Sequence, residues 1–229
     1  MTQLGVVTGL AVEAEVAAGA VTEPAPLITV SGADSARARV RARKLVGVGA
    51  EALLSFGIAG GLAPDSRPGE LILADTVVLP GGERVQTSRS WLDGVRSCLE
   101  SGGLSPAIAT LIGSDTAVIS PQVKAILQQR HEARAVDMES HAVAKVAREA
   151  GLPFLALRAV ADPAERALPL WAASATDERG KVKLRVALGA LLRRPWELPA
   201  ATRLGRETRA ALDALRSAVR SCPGLGLPL

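Results

Sequence analysis

Four groups of residues in this chain have the types and spacing that chemistry requires. Asp162 closes the apolar run Pro153 to Ala161 and is followed by Pro163. A proline holds the residue before it in extended backbone, and a carboxyl at the end of an apolar strand sits where its acid form is favoured. Such a group can donate a proton to a leaving group. It could equally cap a turn or pair with Arg158 or Arg166, and position alone does not separate the two. Asp137-Met138-Glu139 encloses the only internal methionine. In extended backbone its two acids share a face. A carboxylate there could accept hydrogen bonds from hydroxyls while the thioether lies on a planar ligand. The plainer alternative is acids favouring a helix N-terminus, with the methionine in the core. Glu13 follows the first strand-like run. Finally, Gly57-Ile58-Ala59-Gly60-Gly61 lacks the Lys-Ser/Thr ending of a P-loop. Its glycines would serve a turn or let backbone amides approach a sugar or base.

These groups need a scaffold, and the pattern supplies one. Short β-type runs at Leu4–Thr8, Leu27–Val30, Ala52–Phe56, Glu70–Leu79, Ala107–Ile112, Ala133–Val136 and Pro153–Ala161 alternate with helix-like runs. A helix carries Glu13 and Glu15. Asp34 is placed to cap a helix running to about Val46, and Ser120-Pro121 opens one running to about His131. Glu139 to Ala150 reads as a helix ended by Gly151. Such alternation predicts an α/β fold with a mostly parallel or mixed central sheet flanked by helices. Ligands collect at the carboxyl ends of strands in such sheets, where all four groups fall. Beyond Asp162, Pro163, Pro169, Pro195 and Pro199 break the chain. Two basic stretches follow, 181–194 and 203–220. The second places Leu204, Ala211, Leu212, Leu215 and Val219 on one side, as a helix packed on the domain or as a basic amphipathic surface for membrane contact. The chain thus reads as one domain over 1–229, with a basic, proline-broken helical extension from about 170.

Composition narrows the class. At 229 residues and 48% hydrophobic, the chain can bury a substantial core. The pI near 9.6 invites a nucleic-acid reading. However, the net charge is only +4, and Phe56, Phe154, Trp91, Trp171 and Trp196 are scattered, with no tyrosine to build a stacking platform. No nucleic-acid partner is expected. Cys98 and Cys222 lie far apart, and with His131 and His141 they make no metal-ligand spacing. No metal and no disulfide are expected, and two free thiols fit a reducing cytoplasmic compartment. The opening run is strand-like rather than a basic leader, and no apolar stretch is long enough for a membrane span.

Read in order, the segments Gly5 to Glu13, Gly57 to Pro64, Val136 to Glu139 and Arg158 to Asp162 resemble the nucleoside phosphorylase and nucleosidase superfamily, which includes methylthioadenosine/S-adenosylhomocysteine nucleosidase. The resemblance implies cleavage of the N-glycosidic bond of a purine nucleoside. Asp162 would give a proton or a strong hydrogen bond to the purine N7, Glu139 would hold the ribose hydroxyls with Met138 packed against sugar or base, and Glu13 would position or activate the nucleophile. Asp137, Ile58, Ala59, Gly60, Ser114 and Asp115 would complete the substrate site. It also implies a homo-oligomer, a dimer or larger, working without a cofactor. Several positions depart from the family pattern: Ile58 and Ala161 stand where serines are usual, Asp34 replaces a glycine, and 80–95 holds Arg84, Arg89 and Trp91 in place of pocket aromatics. A methylthioadenosine-specific enzyme is therefore not expected.

Asp162 to Pro169, with the basic tail, resembles the narrower hopanoid-associated nucleoside phosphorylases. That branch implies release of adenine from adenosylhopane during hopanoid biosynthesis, with peripheral contact at the inner membrane. Inorganic phosphate would then be the co-substrate, held by Arg84 and Arg89 with backbone at Gly32 and Gly57. Water activated by Glu13 is the alternative nucleophile, and a nucleoside-binding protein without catalysis is the alternative function.

Overall fold

A computed structural model of the protein describes residues 2–169, 171, 177–181 and 193–225. The strands are β1 (Leu4–Thr8), β2 (Leu27–Val30), β3 (Ala52–Gly61), β4 (Leu71–Val78), β5 (Arg84–Gln86), β6 (Ala107–Gly113), β7 (Ala135–Asp137) and β8 (Phe154–Asp162). The helices are α1 (Ala11–Ala17), α2 (Ser35–Gly47), α3 (Arg89–Ser101), α4 (Pro121–His131), α5 (Ser140–Ala150) and α6 (Leu198–Ser221). A short 3₁₀ turn, Pro195–Glu197, leads into α6.

Strand β3 is the hub. It lies parallel to β1 on one side and to β8 on the other, while its last residues pair antiparallel with β7. From β7 the ladder runs through β6 and β4 back to β8, so five strands close into a ring. The β3–β7, β4–β5 and β4–β8 pairs are antiparallel and the other pairs parallel. The sheet is therefore the mixed variant of the expected α/β class.

Its strands are apolar on both faces because helices cover both. Along β8, Leu155, Leu157, Ala159 and Ala161 pack toward α1, α3 and α6, whereas Phe154, Ala156 and Val160 pack toward α2 and α5. The two-residue period therefore assigns Arg158 and Asp162 to the side of Phe154. A register shift between Ala59 and Gly60 then brings Asp162 opposite Gly60.

Local signals mark the ends as expected. Asp34 accepts from the Arg37 amide (2.7 Å), Pro121 begins α4, and Gly151 ends α5 in the left-handed region (φ 66°). The expected apolar stripe of the C-terminal helix is largely buried, with Ala211, Leu212, Leu215, Ala218 and Val219 in the core. The first basic stretch lies mostly in 182–192, outside the described residues.

Three expectations change. The glycine segment 57–61 is strand, because β7 and β8 complete its hydrogen bonding. Strand β5 and helix α3 occupy a region without a predicted element. Cys98 and Cys222, 124 residues apart, form a disulfide, because α3 and the end of α6 bring their Cα atoms to 5.5 Å. Their spacing therefore no longer argues for a reducing compartment. No described helix is long and apolar enough to cross a membrane.

Candidate active site

At the carboxyl ends of β1, β3, β7 and β8 lies a cavity of about 640 Å³. Gly9, Glu13, Ile58, Gly60, Met138, Glu139 and Asp162 all line it. Sequence separations of up to about 150 residues are closed by the sheet.

Glu13 is buried in the first turn of α1. One of its carboxylate oxygens, Oε2, accepts from the amides of Gly9 (2.9 Å) and Leu10 (2.8 Å). Oε1 accepts from the Ile58 amide (2.8 Å). The carboxylate thus caps its own helix and ties it to β3. Burial raises its pKa, with Arg158 and the three amides opposing that shift. Gly57 allows this closeness: a Cβ there would come within 2.7 Å of the Glu13 carboxylate and 2.6 Å of Arg158 Nη1. Gly9 does the same for Glu139, whose Oε1 would lie 2.8 Å from an added Cβ.

Asp137 ends β7, and Glu139 stands immediately before α5. Asp137 accepts from the Ser140 amide (3.0 Å) and hydroxyl (2.6 Å) and forms an ion pair with Arg158. Its lone pairs are largely committed to the scaffold. Glu139 keeps more capacity, with Arg158 Nη2 3.5 Å away. Burial, foremost, together with Asp137 and Glu13 pushes its pKa up to about 8 against the opposing pull of Arg158. A carboxyl this destabilised as an anion gains strongly from a neighbouring positive charge, which is what a ribose acquires as its glycosidic bond breaks.

Arg158 binds these acids together. It is fully buried and also donates to Ser55 Oγ (2.6 Å) and Ser140 Oγ (3.1 Å), while its Nη1 has no hydrogen-bond partner. Three carboxylates around one guanidinium carry excess negative charge when all are ionised, and in this cluster Glu13 and Glu139 are the groups whose pKa values are raised. Arg158 was visible in sequence only as a possible partner of Asp162. Its buried, alternating position on an apolar strand was the signal, since an arginine is almost never fully buried without partners.

Asp162 is 6% exposed. Its Oδ2 accepts from Lys124 Nζ, and its pKa is raised to about 6, chiefly by burial, with Lys124 opposing. Lys124 is a site residue that sequence reasoning missed, because a lysine on an otherwise mostly exposed helix reads as solvated.

The other expected positions divide. Ile58, Ala59, Gly60, Asp137 and Met138 line the cavity. Ser114 and Asp115 do not; their side chains are engaged by other partners. Ser114 donates to the Thr116 carbonyl (2.7 Å), and Asp115 binds Ser35 Oγ (2.6 Å) and His141 Nε2 (3.1 Å). Thr116, Ala117 and Val118 line the wall instead. The expected phosphate ligands are not brought together. Arg84 donates to Thr110 and borders a separate cavity, Arg89 pairs with Asp93 on the surface, and the Gly32 carbonyl accepts from Arg37 (3.1 Å). Gly57 serves the close approach of Glu13 and Arg158. Asp34 caps α2 and is not among the lining residues. The remaining wall is supplied mainly by α6: Leu168, Trp171, Ala201, Leu204 and Leu212 make it largely apolar, and Thr208, Arg209 and Arg216 add polar and cationic groups.

The profile of the phosphorylase superfamily matches residues 13–193. A 5'-methylthioadenosine/S-adenosylhomocysteine nucleosidase of Geobacillus thermodenitrificans is 28% identical over 48% of this chain and 54% of its own length. A futalosine hydrolase of Streptomyces coelicolor is 32% identical over 48% and 53%. The chain spans about half the length of these curated relatives. Among solved structures, a 5'-methylthioadenosine/S-adenosylhomocysteine nucleosidase from Neisseria meningitidis, in complex with methylthio-immucillin-A, superposes with a TM-score of 0.73 at 16% identity. That match covers 98% of this chain and 99% of the other.

Proposed function

Because this chain belongs to the phosphorylase superfamily, we propose that it cleaves the N-glycosidic bond of a 5'-substituted adenosine, with water as the nucleophile. The observation that carries the choice of water is the charge of the inner wall. Glu13, Asp137 and Glu139 surround a single guanidinium already engaged by Asp137 and near Glu139. Phosphate needs converging cations, and an anion beside Arg158 would meet carboxylates; the arginines that line the cavity, Arg209 and Arg216, stand on α6, and Arg216 pairs with Asp213. Arg84 and Arg89, the expected ligands, are committed elsewhere. Water needs only a base, and Glu13 is that base.

In the reaction, Asp162 gives its proton to purine N7 as the C1'–N9 electron pair moves into the departing base. Glu139 faces the positive charge growing on the ribose. Water adds at C1' and loses its proton to Glu13. General acid–base groups of this kind each contribute about 10²–10⁴-fold.

For the 5' substituent, the leucine- and tryptophan-bearing part of the wall (Leu168, Trp171, Leu204 and Leu212) supports a bulky, non-polar group. Adenosylhopane, implied by the resemblance of the segment after Asp162, is one such substrate. Exposed Trp196 and Leu198, close in sequence to Arg203 and Arg206, support peripheral contact with an anionic membrane surface. The test is a set of adenosines differing only at the 5' position. A preference for large apolar groups over methylthio supports this reading, and the reverse order contradicts it.

A further inference from the structure

Resting on Asp162 as the leaving-group acid, we propose that Lys124 is a positioning residue for it: a buried ammonium that dictates which carboxyl oxygen faces the purine and stabilises the carboxylate left behind. Lys124 is the one buried residue of α4 and is 0% exposed. Removing a charged amine from water is unfavourable unless it is fully paired. An ammonium has three N–H donors, and here there are three acceptors: Asp162 Oδ2, the Pro163 carbonyl (2.9 Å) and the Arg166 carbonyl (3.3 Å). Only the charged form can donate three times, so this site is built for a cation.

The arrangement has a chemical consequence. With Oδ2 occupied by Lys124, the proton destined for the purine resides on Oδ1. Transfer from Oδ1 to N7 leaves a carboxylate against the ammonium, so the attraction is stronger after the proton has moved than before. That is stabilisation of the transition state rather than of the bound substrate. The other charges acting on Asp162 are Arg166, in the following turn, and Glu207, on α6. These two pair with each other at 2.9 Å, and Lys124 holds the Arg166 backbone. The lysine therefore also ties the acid to the helix that walls the cavity.

Lys124→Met should lower kcat for purine release about 10²-fold with KM little changed. It should also move the basic limb of the pH profile to higher pH, since the cation that makes Asp162 more acidic is gone. Lys124→Arg should recover part of kcat and return the limb toward its original position. Hydrolysis of 4-nitrophenyl riboside, whose leaving group departs without a proton, should be affected far less. An equal loss on both substrates, an unmoved limb or an unchanged kcat would overturn the inference. Where Lys124→Met does not fold, Lys124→Gln carries the same measurements. A wild-type protein that releases no purine would count against the proposed function instead, whereas an active wild type with an indifferent Lys124→Met counts against Lys124 alone.

Discussion

Asp162 reads, by position, as either an acid or a turn residue, and its surroundings support the acid. A turn residue would spend both oxygens on nearby amides. Here one oxygen accepts from a buried lysine and the carboxyl borders the cavity. Asp162→Asn should therefore lower kcat by about 10²–10⁴-fold while the protein still folds, as steady-state kinetics beside circular dichroism will show. The pH dependence has a definite sign. The acid must be protonated to act, and its pKa is about 6, so kcat/KM should fall as pH rises through that value. Asp137, Glu139 and Glu13 drew attention by strand-end position and residue type, and the resemblance supplied their roles. Arg158 and Lys124 did not, because buried cations are recognised by their partners, and those partners are 18 to 103 residues away in sequence. Ser114 and Asp115 were assigned by resemblance, and hydrogen bonds to Thr116 for Ser114 and to Ser35 and His141 for Asp115 claim them.

Among the elements, α6 is the packed C-terminal helix that its apolar side predicts. Its apolar stripe is core, its neighbouring residues wall the cavity, and the Cys98–Cys222 bond fastens its end to α3. Removing residues 200–229 would thus unfold the domain rather than isolate a membrane-binding tail. Replacing Arg203 and Arg206 with glutamate is the separable test. Both are exposed, and the variant should stay folded while losing affinity for anionic vesicles. Cys222→Ala should reduce stability by about 2–5 kcal/mol, readable as a lower denaturation midpoint. The strand positions of this chain were largely legible because buried parallel strands are continuous apolar runs. β5 and α3 escaped because three residues at a sheet edge carry little pattern, and α3 mixes charged residues into its first turns. The closure of the ring depends on antiparallel pairs between distant segments, for which a single sequence holds no local signal.

At the scale of the whole molecule, the active site works against stability. Glu13, Glu139 and Asp162 all have raised pKa values because burial penalises their charged forms. Between the ordinary carboxyl range and about 8, the folded protein then binds more protons than the unfolded chain, so stability falls as pH rises through this window. The melting temperature should be higher at pH 5.5 than at pH 8.5, and Glu139→Gln should flatten the dependence. A melting temperature that rises toward pH 8.5 would contradict raised pKa values for these three acids.

The central claim is that water, helped by Glu13 and Asp162, displaces a purine from a 5'-substituted nucleoside. The most direct measurement is purine release from such a nucleoside in phosphate-free buffer and again with added inorganic phosphate, with both products identified by chromatography. The account predicts free purine and a free reducing sugar, formed at the same rate in both buffers. Release that requires phosphate and yields a sugar 1-phosphate would contradict it.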